Sequence, residues 1–131
     1  MKNFYKITTI ATSLLFLYLT IEMFFMSDSF VTGLGLQQSL TTSVLAKRVA
    51  MFMLGISVLM FASRNLPHSA ARQVICLSTA ITLLGLSIMG TYELIRGTVN
   101  NSMLVAICIE TILWISLGII LLKHRHMKAD R

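Results

Sequence analysis

Long apolar stretches separated by short polar ones make up most of this chain, at residues 7–26, 40–63, 73–92 and 102–122. Each is close to the twenty residues that carry a helix across the ~30 Å hydrocarbon layer at about 1.5 Å per residue. Too few residues remain outside them for a separate soluble domain. The pattern predicts an all-α fold: one integral membrane domain over residues 1–131, an antiparallel four-helix bundle whose short connections join neighbours.

The connections punctuate this pattern. In Ser27–Ser39 (SDSFVTGLGLQQS), Gly33 and Gly35 interrupt helix, while Phe30, Val31, Leu34 and Leu36 suit a segment lying along the interface. Ser39 or Thr41 caps the second long helix. In RNLPHSAAR (residues 64–72), Pro67 lacks an amide donor and belongs between helices, and Ser69 caps the next one. Gly97 stops the third helix. That helix carries Ser78, Thr79, Thr82, Gly85, Ser87 and Gly90, the small, hydroxylated surface that lets helices approach closely in lipid. Asn100-Asn101-Ser102 matches the glycosylation acceptor pattern, read as coincidence in a bacterial protein.

Composition sharpens the membrane reading. Only 12% of the residues are charged and 56% are hydrophobic; soluble domains carry roughly twice that charged share. The net charge of +6 flanks the apolar stretches instead of following one face, which argues for topogenic charge and against a nucleic-acid partner. Lys2, Lys6, Arg64, Arg72, Lys123, Arg125, Lys128 and Arg131 fall on one side of the bilayer, and Lys47, Arg48 and Arg96 on the other. Eight bases against three place both termini in the cytoplasm of a bacterial inner membrane. The first apolar run is longer than a signal peptide's and no small-residue cleavage site follows it, so it reads as an uncleaved span.

The candidate chemistry is a charge cluster. Between Arg48 and Arg64 fifteen residues are uncharged, roughly 22 Å of helix, short of the hydrocarbon thickness. Either Arg48 lies inside the membrane on a helix that starts near Ser39, the reading favoured here, or it snorkels from just beyond the slab. An intramembrane arginine needs carboxylates, and Glu22 and Glu110 lie within other apolar stretches at compatible depths. A guanidinium fork can hold two carboxylates, so the expected core of the site is Arg48 with Glu22 and Glu110. Trp114, one turn from Glu110, walls it; Tyr92, Glu93 and Arg96 form its outer rim.

Other chemistries find no support in the residues. Cys76 and Cys108 sit at different depths, roughly 15 Å apart along antiparallel axes, too far for a disulfide. No C-x-x-C, nucleophile–base pair or phosphate loop is present, and His124 and His126 have no third ligand nearby, so no catalytic residue, metal or cofactor is expected. The nine methionines are apolar filler.

An arginine opening the second helix (AKRVAMFMLGISVLMFASR) and a glutamate inside the fourth (MLVAICIETILW), in a chain of this length with four spans, resemble small bacterial DoxX-like membrane proteins and their uncharacterised relatives. That resemblance runs from about Gly33 to Leu122. It implies a four-helix bundle without established enzymatic activity, some of whose members associate with redox assemblies. Three functions are therefore expected to compete. One is a non-enzymatic binding or accessory subunit for a small amphiphile, lipid or membrane partner, within a homo-oligomer or larger complex. Another is a proton-coupled transporter using Glu110 or Glu22 with Arg48. The third is a subunit of a membrane redox enzyme. A purely structural polar clasp is the alternative to all three.

Overall fold

The structure, a computed structural model, describes residues 2–129, with side chains described for residues 3–123; His124 and His126 lie outside the latter. The described residues form five helices and no strand: α1 (Lys2–Phe25), α2 (Ser27–Gly33), α3 (Leu40–Ser63), α4 (Ala70–Ile95) and α5 (Met103–Ala129). Four of them are long and apolar enough to cross a membrane. Large apolar side chains point outward along all four, among them Ile7, Phe52, Ile81 and Ile112. In water such a surface would drive aggregation; in a bilayer it faces lipid tails of the same polarity.

The helix ends follow the punctuation of the sequence. Ser39 caps α3, accepting from the Thr42 N–H at 3.1 Å while the Thr42 hydroxyl accepts from the Ser39 N–H at 2.8 Å. Ser69 caps α4 by accepting from the Arg72 N–H at 3.3 Å. That cap starts α4 at Ala70, three residues before the apolar stretch, and carries Arg72 into the helix. The connections that follow α2 and α4 close with the same turn. The Leu36 N–H donates to the Val31 carbonyl and Gly35 to Thr32; Thr98 donates to Glu93 and Gly97 to Leu94. In each, the 6→1 and 5→2 bonds form because a glycine takes positive φ, +82° at Gly35 and +71° at Gly97. The residues before Gly35 form the short helix α2.

The long helices pack as two close pairs, α1 with α3 and α4 with α5, and the pairs meet more sparsely. The first pair is fastened by hydroxyls. The Tyr5 hydroxyl donates to the Ser63 carbonyl at 2.8 Å, and Ser13 and Ser57 each donate to the other's carbonyl at 2.8 Å. Thr20 reaches the Ala50 carbonyl at 3.3 Å, and Ser27 and Ser43 share a bond of 2.9 Å. As one residue number rises the other falls, which is an antiparallel register. In lipid the apolar effect cannot hold helices together, so small residues and such bonds carry the pairing. In the second pair, Gly90 brings α4 against Met103 and Ile107, and Thr111 bonds Ser87 at 3.3 Å, again antiparallel.

The two pairs are tied at both ends. Where the α2–α3 and α4–α5 connections meet, Asn100 donates from its backbone to the Leu34 carbonyl at 2.9 Å and from its side chain to Gly33 at 2.7 Å, and Ser102 also reaches Gly33 at 2.9 Å. At the opposite end the Arg72 guanidinium lies 3.5 Å over the Tyr5 ring. Between them an apolar core of Phe16, Met60, Leu83, Leu113 and Leu117 fills the seam.

Candidate functional site

Glu110 lies on the buried stripe of α5, followed at helical spacing by Leu113 and Leu117, so its carboxyl enters the bundle. It is 4% exposed, and its Oε2 is buried without a hydrogen-bond partner. Thr20 lies fifteen residues past Tyr5, and Ser87 fifteen past Arg72. Because Arg72 stacks on Tyr5 and Thr111 bonds Ser87, Glu110 shares its depth with these buried hydroxyls.

Beside it, on the outer face of the α4/α5 pair, runs a groove of about 400 Å³. Leu84, Ile88 and Ile95 form its apolar wall, Ser87, Thr91 and Thr111 supply hydroxyls, and Tyr92 and Trp114 flank them. A second hollow of about 380 Å³, lined by Val74, Leu77, Gly118 and Leu121, continues along the same faces of both helices. The spacing of these residues makes the two hollows one furrow between α4 and α5.

The expected cluster of Arg48 with Glu22 and Glu110 does not form: the described residues contain no salt bridge. The reason lies in how α3 turns. Its buried positions are Ala46, Ala50, Ser57, Met60 and Ser63, the small and hydroxylated ones that let α1 approach. Arg48, two residues from each alanine, is rotated roughly 200° away. It is exposed and borders a shallow depression with Leu40, Thr41, Val44 and Leu45. Glu22 is half-buried on α1. Glu93 bonds the Thr98 hydroxyl within the α4 stop turn, and Arg96 stands 5.4 Å from the Tyr92 ring. Of the seven candidates, the structure brings Tyr92 and Trp114 into one groove, with Glu110 next to it in the helix.

Two features escape the sequence reading. The hydroxyl stripe of the bundle is on α1, where Thr8, Thr9, Thr12, Ser13 and Thr20 are all buried. On α4 only Thr79, Ser87 and Gly90 of the six small residues are inside. The spacing of the α1 hydroxyls is the signal that could have found them. Arg72, counted among the bases of a turn, is 3% exposed, and its Nε has no partner.

Four helices long and apolar enough to span a membrane, with large apolar side chains exposed along all of them, mark a multi-pass α-helical membrane protein. No protein-family model, characterised protein or solved structure matches this chain.

Proposed function

We propose that this chain is a non-enzymatic binding protein of the bacterial inner membrane, both termini in the cytoplasm, whose ligand is a small amphiphile or lipid held in the α4/α5 furrow. The observation that carries the reading is the groove floor. The hydroxyls of Ser87, Thr91 and Thr111 sit between Tyr92 and Trp114 in an otherwise apolar wall. Bulk lipid tails fill any apolar groove; a floor of hydroxyls beside aromatic rings favours an occupant with polar atoms at that depth. The resemblance to DoxX-like proteins agrees with a binding or accessory role and leaves room for a membrane partner or a second copy on the remaining apolar faces.

Native mass spectrometry of protein extracted from its own membrane tests this. A stoichiometric amphiphile adduct is expected on the natural chain and absent from Thr111→Leu, whose larger apolar side chain removes a floor hydroxyl. Identical adduct patterns on both would contradict the reading. A second reading, proton-coupled transport, rests on the unmatched oxygen of Glu110: a carboxyl so placed can carry a proton between environments. It requires proton-dependent flux in liposomes that Glu110→Gln abolishes. Arg48, exposed on the far side of α3, takes no part.

A further inference from the structure

The end of the bundle opposite the Asn100–Gly33 tie holds a second, chemically different cleft. It measures about 310 Å³ and opens where the first turns of α1 meet the α3–α4 connection, lined by Asn3, Tyr5, Lys6, Arg64, Asn65 and Leu66. Two cations, two amides and a phenol surround it, and no carboxylate does among the described residues. The nearest acid in either chain segment is remote: none occurs between residues 1 and 21 or between 29 and 92.

The bases here are only partly satisfied. Arg64 gives one N–H to the Phe61 carbonyl at 2.7 Å and lies 3.8 Å over the Phe61 ring. A guanidinium offers five N–H groups in a fork that fits tetrahedral oxyanions, so donors remain. Lys6 is exposed. An independent observation lies directly behind the cleft's tyrosine. Arg72 is 3% exposed and stacked on the Tyr5 ring; it meets the His68 Nδ1 at 3.5 Å, has an unpartnered Nε, and forms no salt bridge to any described acid. A buried guanidinium without a counter-ion is costly, and an aromatic face offsets only part of that cost.

We propose that this cleft binds a phosphate group, with Lys6 and Arg64 as its direct cationic contacts, Asn3 and Asn65 as hydrogen-bond donors, and Arg72 as the charge behind Tyr5 that favours an anion there. The placement at the end of the apolar spans points to the headgroup of an anionic phospholipid as the source; free phosphate offers the same chemistry. The assignment is independent of the α4/α5 furrow, none of whose lining residues it uses.

The test is native mass spectrometry of the detergent-solubilised full chain with short-chain phosphatidylglycerol or phosphatidylcholine added in equal amounts. Phosphatidylglycerol should be retained in preference, and the double variant Lys6→Gln/Arg64→Gln should weaken that retention roughly thirtyfold, two surface cations' worth. Lys6→Arg, which keeps the charge, should retain it. Circular dichroism and Trp114 emission confirm that each variant is folded and the furrow intact. Inorganic phosphate that displaces the lipid identifies a free phosphate site; failure to displace it identifies the lipid headgroup. Equal retention of both lipids by the natural chain, or unchanged phosphatidylglycerol retention in a folded double variant, overturns the proposal.

Discussion

At the scale of single residues, Glu110 and Arg48 show what decides whether a charge is buried. Both sit about two turns inside an apolar stretch, and depth alone pairs them. Rotation about the helix axis separates them. α3 turns Ala46 and Ala50 toward α1 and so turns Arg48 away, whereas α5 turns Glu110 inward with Leu113 and Leu117. Rotation is legible in Ala46, Ala50 and Ser57, small residues at helical spacing that mark the face α1 approaches. Removing one partner of a buried ion pair costs ~3–5 kcal/mol, but Glu110 has no such partner. Glu110→Leu should therefore leave thermal stability in detergent unchanged or raise it, by up to about 3 kcal/mol of relieved desolvation. Arg48→Gln should change it by less than ~0.5 kcal/mol, as for other exposed substitutions. A large loss in either variant would restore the paired cluster.

Among elements, the contrast between α1 and α4 is instructive. Small and hydroxylated residues occur on both, but on α4 Ser78, Thr82 and Gly85 face outward. On α1 the hydroxyls from Thr8 to Ser13 recur every three or four residues; Ser13 and Thr20 reach carbonyls of α3, whereas Thr9 and Thr12 donate back to carbonyls of α1 itself. The mutual Ser13–Ser57 bonds are the centre of that seam. The double variant Ser13→Ala/Ser57→Ala should destabilise by ~1–2 kcal/mol, since interhelical bonds in membranes contribute ~0.6 kcal/mol on average. A double-mutant cycle in a mild detergent measures the coupling, which should be absent if the two serines act independently. Gly90 serves the other pair. A Cβ there would lie 3.0 Å from Ile107 Cγ1 and 3.1 Å from Met103 Cε. The Met103 end is flexible and Ile107 need give only slightly for Ala, but Gly90→Leu should part α4 from α5 and lower the melting temperature. The turn chemistry of Ser39, Ser69 and Gly97 was legible because capping acts within four residues; the ties of Asn100 to Gly33 and Arg72 to Tyr5 were not, because they join segments more than sixty residues apart.

On the scale of the whole molecule, two antiparallel pairs are tied to one another at both ends, and a buried apolar core of Phe16, Met60, Leu83, Leu113 and Leu117 fills the seam between the ties. Glu110 lies with the hydroxyls of Thr20 and Ser87 between that core and the Asn100–Gly33 tie, and the α4/α5 furrow runs along the flank. The count of spans, their approximate bounds and the membrane class follow from apolar length alone, because the bilayer dictates that length. Which helices pair is a matter of side-chain contact, and no single stretch carries it. Asn100→Ala should loosen the tie to Gly33 and Leu34, seen as faster hydrogen exchange in residues 33–36 and 97–102 with the α1/α3 seam still protected.

Trp114 is the chain's only tryptophan and lies in the groove, so its fluorescence reports groove occupancy directly. Protein in phosphatidylcholine vesicles is titrated with a brominated single-chain fatty acid, and separately with brominated phosphatidylcholine. The binding account predicts that the fatty acid quenches Trp114 to a plateau at low mole fraction, and that Thr111→Leu abolishes the plateau. Quenching that rises with bromine content alike for both lipids, with no saturation, would contradict it.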